Sequence, residues 1–249
     1  MKQSPRRRGV TLLELLIAVS LVSLLSVGML WAVRVALGAM DRTNSRALAN
    51  RRVLGASRVL DQQISGLMPV LTDCRRPGAP PTAAPKALLF QGQPSTLRFV
   101  SSFSLNGASR GYPQLLEYAV IPGRQNLGVR LIVNELSYAG PDAIARVCSG
   151  VHPAPGGMIP VFGPVEPKPD SFVLADRLRS CAFFYLAVDP RSGARVWLPS
   201  WDRASLPAAI RIEMVPLEPD PLQLQMTTMT FPIRPDRLSE PYVDIDPVQ

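Results

Sequence analysis

The chain has a single histidine, His152, and only three cysteines, Cys74, Cys148 and Cys181, in 249 residues. With no second imidazole there is no histidine pair for a metal, and no CxxC or Cys/His spacing suggests zinc. Neither GxGxxG nor GxxxxGK[ST] occurs, so the glycine-rich loops that cradle phosphates are missing. No Ser/His/Asp or Cys/His arrangement has a recognisable local context. These absences speak against an enzyme, and no cofactor is expected. His152 itself sits in "GVHPAPGG", a setting that predicts a solvent-exposed loop residue.

Charge is the next thing missing. From Val10 to Val33 there are 24 residues whose only charge is Glu14. At a helical rise of about 1.5 Å per residue this run spans the roughly 30 Å hydrocarbon core. Lys2, Arg6, Arg7 and Arg8 precede it, and basic flanks stay in the cytoplasm. Residues 1–9 are therefore expected inside and the bulk of the chain outside. A secretory signal carries a short apolar core followed by a small-residue cut site. Here the run is longer, and the small boundary residue, Gly9, comes before it.

The net charge of +8 is concentrated around the apolar run, before it and again from Arg34 to Arg58, while the distal part is close to neutral. A nucleic-acid footprint would be a basic patch on the folded body. The charge thus bears on topology, and no nucleic-acid partner is expected. Outside the cytoplasm the cysteines meet oxidising conditions. One disulfide and one free thiol follow, with three pairings open.

Proline is abundant, at 26 residues, yet absent from 34–68. The pattern predicts one helix, apolar all round over 10–33 and amphipathic over 34–69, ended by Pro69. Val53, Leu60, Ile64 and Leu67 share one face, expected to pack on the protein's own sheet, while Arg46, Arg51, Arg52 and Arg58 lie on others. "CRRPGAPPTAAPK" then reads as a linker. Short branched or aromatic runs follow: "TLRFVSSF", "LLEYAVI", "LGVRLIVNELSY", "SFVLADRL", "CAFFYLAV", "ARVWL", "AAIRIEMV" and "LQLQMTTMTF". Ile210, Ile212 and Met214 alternate with Arg211 and Glu213, the mark of a sheet with one covered face. The predicted fold class is α+β, a long N-terminal helix laid on an antiparallel sheet, with residues 70–249 as the β-rich domain. Residues 139–170, rich in proline and glycine, read as a long loop. Trp197 and Trp201 are expected in core or sheet-edge packing, and Leu206-Pro207 at a strand start. The tail carries Asp236, Glu240, Asp244 and Asp246 without EF-hand spacing, so an exposed acidic tail is expected rather than a calcium site.

The opening "RRRGVTLLE" resembles the class III signal of type IV pilin-like proteins: a basic leader ending in glycine, then an apolar helix with glutamate fifth. The resemblance implies cleavage between Gly9 and Val10 by a prepilin peptidase, and N-methylation at Val10. The first mature residue is usually phenylalanine in that pattern, and here it is valine. It also gives Glu14 an assembly role, pairing with the Val10 amine of a neighbouring subunit and setting axial register. From Phe172 to Pro216 the chain is similar to the C-terminal part of J-type minor pseudopilins of type II secretion systems. Phe184-Tyr185, Trp197, Trp201, Leu206-Pro207 and Ala209-Ile210-Arg211-Ile212 carry that similarity. It implies an inner-membrane subunit with a periplasmic head, at the tip of a short filament, with other minor pseudopilins and the major pseudopilin as partners. A minor type IV pilin of the W type, priming a surface pilus, is the alternative.

Overall fold

The computed structural model describes residues 11–72, 74, 86–106, 109–139, 144, 147–218, 228–233 and 242–243. Helix α1 runs from Leu12 to Ser65. The chain divides into two units, Met1–Ala49 and Asn50–Gln249.

In the first unit every described residue from Leu12 onward is helical. Its leucines, valines and Trp31 stand exposed, as in Leu12, Leu24 and Leu30. Ser20, Ser23 and Ser26 return their hydroxyls to carbonyls three or four residues back. The helix thus satisfies these polar side chains internally, as hydrocarbon requires.

In the second unit α1 meets a sheet. Fourteen strands are described: β1 (Leu67–Met68), β2 (Val70–Thr72), β3 (Ala87–Leu88), β4 (Phe90–Gly92), β5 (Thr96–Ser104), β6 (Ser109–Pro122), β7 (Val129–Ser137), β8 (Cys148–Ala154), β9 (Gly157–Phe162), β10 (Phe172–Val188), β11 (Arg195–Leu198), β12 (Ala209–Pro216), β13 (Thr228–Pro232) and β14 (Tyr242–Val243). Nine form one sheet ordered β1-β5-β6-β7-β10-β12-β13, with β4 beside β5 and β11 beside β10. Its pairings are antiparallel, so the α+β expectation holds.

The alternation of side chains across the sheet makes two cores. On the helix side Ala56, Leu60 and Ile64 pack with Phe99, Tyr118, Phe183 and Ile212. Val53 packs at the margin of that cluster, so the predicted apolar stripe is the packing face. On the opposite side Val100, Leu115 and Tyr138 pack with Val70, Leu89 and Ile144. Ile210, Ile212 and Met214 are buried while Arg211 and Glu213 are half-exposed, as the alternation predicts.

Three local expectations need correction. The helix ends at Ser65, four residues before Pro69. Gly66 is the reason: a Cβ there would meet the Ser101 hydroxyl oxygen at 2.8 Å, and the Ser102 amide donates to its carbonyl at 2.9 Å. Leu67 therefore belongs to β1, paired with Ser101, though it stays in the helix-side core. Residues 139–170 are not all loop, because Cys148–Phe162 form the β8–β9 hairpin. Its turn is Pro155-Gly156, with Gly156 at φ 88° and Gly157, the first residue of β9, at φ 146°. "SFVLADRL" and "CAFFYLAV" are one strand, β10, bent where Arg177 takes a φ of 55° beside a register shift. A bulge of this kind lets one strand serve two neighbours, β7 with its first half and β12 with its second.

Candidate assembly site

The start of α1 is built by four residues, Thr11-Leu12-Leu13-Glu14. The Glu14 amide donates to the Thr11 hydroxyl oxygen at 3.3 Å, and the Thr11 amide donates to a Glu14 carboxylate oxygen at 3.4 Å. This reciprocal pair is a capping box, in which N-cap and N3 side chains satisfy two amides the helix leaves unbonded. A carboxylate in the first turn also lies at the positive end of the helix dipole. Glu14 is thus held within the chain, ahead of an exposed apolar surface that holds no second carboxylate until Asp41. Thr11 was not singled out from the sequence, although the Thr-x-x-Glu spacing was there to be read. Gly9 and Val10 lie outside the described residues.

The other anticipated positions separate cleanly. Cys74 and Cys148 are paired as a disulfide, with Cα atoms 5.7 Å apart. Both are buried in the second core. The bond ties the second residue after β2 to the first residue of β8. Cys181 is free and buried, and burial pushes its thiol up to about 12. Trp201 is buried, its indole N–H donating to the Ser205 carbonyl at 2.5 Å. Trp197 is half-exposed, with the Arg211 guanidinium 4.5 Å from its ring centre. Both tryptophans therefore pack, as expected. Pro207 is buried two residues before β12 begins at Ala209. His152 is exposed, but on β8 rather than in a loop. Asp236, Glu240, Asp244 and Asp246 lie outside the described residues. No group of three or more potential metal ligands occurs among the described residues.

Two buried polar clusters were missed from the sequence. At the end of α1, Gln63 donates to Glu135 at 2.8 Å and accepts the Tyr118 hydroxyl. Glu135 also accepts the Ser104 hydroxyl and the Leu105 and Asn106 amides. Burial, and then the Glu135 charge, hold the Tyr118 phenol well above its usual range. On the opposite face Arg98, Glu117 and Asn134 are direct cross-strand neighbours. Arg98 donates to Glu117 at 2.8 Å, to Gln91 at 2.5 Å and to the Gly163 carbonyl at 2.8 Å. Only contacts between distant segments identify these groups as buried, and the sequence does not display such contacts.

Two comparisons bear on this arrangement. Residues 4–30 match the prokaryotic N-terminal methylation motif, which takes in Gly9, Val10 and Glu14. Along its body the chain is similar to type II secretion system protein J of Xanthomonas campestris pv. campestris. The two are 26% identical over 215 residues, covering 84% of this chain and 87% of that protein. The motif at its head and that similarity through its body together support a J-type pseudopilin.

Proposed function

We propose that this chain is a minor pseudopilin that works at the tip of a short periplasmic filament, supporting protein export across the outer membrane. The observation that carries the reading is the front of α1, an exposed apolar helix with one carboxylate, Glu14, in its first turn. A carboxylate at that depth is costly in lipid. It becomes useful if the subunit leaves the bilayer to join a filament.

In this reading a prepilin peptidase cuts between Gly9 and Val10, and the new Val10 amine is methylated. Residues 10–33 hold the subunit in the inner membrane, with the leader in the cytoplasm and the β-rich domain in the periplasm. On assembly the Glu14 carboxylate leaves its contact with Thr11 for the Val10 amine of a neighbouring subunit. Charge pairing then offsets burial and fixes the axial step. Other minor pseudopilins and the major pseudopilin are the neighbours, and the work is assembly rather than catalysis.

The test is leader processing coupled to export. Mass spectrometry of the membrane protein should find a chain beginning at a methylated Val10. Gly9→Leu should retain residues 1–9 and fail to restore export in a strain lacking the chain. Normal processing of Gly9→Leu would sink the cleavage assignment. Full export without the chain, with a surface pilus lost instead, would favour the minor-pilin alternative.

A further inference from the structure

Beyond the apolar run, α1 is strongly basic. Arg34, Arg42, Arg46, Arg51, Arg52 and Arg58 face only Asp41 and Asp61 in sequence. Among the described residues none of the six arginines forms an ion pair. The sheet-covered part of α1 shows what this charge accompanies. Ala56, Leu60 and Ile64 turn into the core. Arg51, Leu54, Gly55 and Arg58 fall at i, i+3, i+4 and i+7, which is one stripe on the side turned away. Arg51 and Arg58 are exposed, and Leu54 is 58% exposed. Nothing lies within 4 Å of where a Gly55 Cβ would stand. The stripe is therefore a leucine beside an open glycine notch, with an unneutralised guanidinium one turn away on either side.

We propose that the Arg51-Leu54-Gly55-Arg58 stripe docks an α-helix of a different protein that carries acidic side chains on its contact face. A glycine lets a second helix backbone approach closely, and the exposed leucine supplies apolar contact area. The arginines set the sign of the partner, because like charges brought together repel and opposite charges select. A second copy of this chain in parallel would offer the same arginines, so the stripe disfavours self-association. A lipid surface fits less well: Leu54 follows Val33, the end of the apolar run, by 21 residues. That is about 30 Å of helical rise, beyond the reach of headgroup charge at physiological salt. This deepens the assembly reading by giving the chemistry of a neighbour. Its test reads binding directly, so its failure would leave that reading standing.

The experiment uses the full chain in neutral detergent and a synthetic helical peptide bearing glutamates at i, i+4 and i+7 around an alanine-leucine stripe. Fluorescence anisotropy should show salt-sensitive binding, at least ~10-fold tighter than a glutamine version of the peptide. The doubly substituted Arg51→Gln/Arg58→Gln chain should lose that ~10-fold preference while unfolding at an unchanged temperature, since both side chains are exposed. A Leu54→Cys chain should not cross-link to itself. Equal binding of the two peptides, no binding of either, or ready Leu54→Cys homodimers would overturn the proposal. So would Arg51- and Arg58-dependent binding of phosphatidylglycerol vesicles in preference to the acidic peptide.

Discussion

The two ends of α1 are made of similar residues and put them to opposite uses. Leucines and valines near the start, such as Leu13 and Val22, are exposed. Near the end Leu60 and Ile64 are at most 1% exposed, and Gln63 is 0% exposed. The difference lies in what each end meets. Leu60 and Ile64 find aromatic partners in the sheet, and Gln63 finds Tyr118 and Glu135. At the front, among the described residues, the Glu14 side chain has Thr11 as its hydrogen-bond partner. Gln63 is engaged on both sides of its amide inside the chain, whereas the Glu14 carboxylate accepts one long hydrogen bond, at 3.4 Å, from the Thr11 amide. The back of the helix is thus engaged within the chain, and in the proposed function the front is completed by a neighbouring subunit.

The finished body that the back of the helix belongs to can be broken first, beginning on the sheet face opposite α1. Glu117→Ala leaves Arg98 buried without its carboxylate, in a pair whose side chains are 2% and 5% exposed. Urea unfolding should show a loss of about 3–5 kcal/mol, and Arg98→Met with Glu117→Leu should recover most of it. Leu60→Ala should cost about 2–5 kcal/mol by the same measurement, because it opens a cavity between helix and sheet. Reducing the Cys74–Cys148 bond, which spans 74 residues, should lower stability by about 2–4 kcal/mol. Limited proteolysis should then cut first within the β8–β9 hairpin, which that bond ties to the segment following β2.

The smallest expected effect is chemical. Cys181 is buried with its thiol raised to about 12, so the folded protein should stay inert to iodoacetamide at pH 8 and react once unfolded. Its folded value lies above the ordinary 9.0. The protonated thiol is therefore favoured by folding, and this contribution is whole below pH 9 and fades as the pH climbs towards 12. The same sign holds for Tyr118 and Tyr185, both raised chiefly by burial. Alkali should destabilise the body, as a pH series of thermal unfolding would show.

Much of this was legible in the residues. A helix with no proline from 34 to 68, the Val53-Leu60-Ile64 stripe and the Ile210-Ile212-Met214 alternation are local patterns, and the fold honours them. Gly66 was harder to read, because its need arises from the approach of Ser101 and Ser102 rather than from its own neighbours in sequence. The β8–β9 hairpin was hidden by its own prolines and glycines, which serve as edge and turn residues in a two-stranded ribbon. The bend in β10 was hidden for a related reason, since Arg179-Ser180 looks like a break between two strands, whereas the register shifts on either side of Leu178 are a bulge within one. Of the candidate site, Glu14 stood out because a charge in an apolar run is conspicuous. Thr11 did not, since threonine among leucines draws no notice until the carboxylate is seen folding back to it. Long-range polar pairing left no trace of its own: Arg98, Glu117 and Glu135 look like any charged residues until the strands align.

The central claim is that Glu14 serves assembly and not the fold. It is tested most directly by Glu14→Ala, with export and unfolding measured on the same protein. The account predicts export lost by at least ~10-fold, with leader processing intact. The body's unfolding midpoint should not move, since the residue lies in the exposed first turn of α1 and its side chain, among the described residues, hydrogen-bonds only with Thr11. Full export by Glu14→Ala, or an export defect matched by an equal loss of stability in the body, would contradict it.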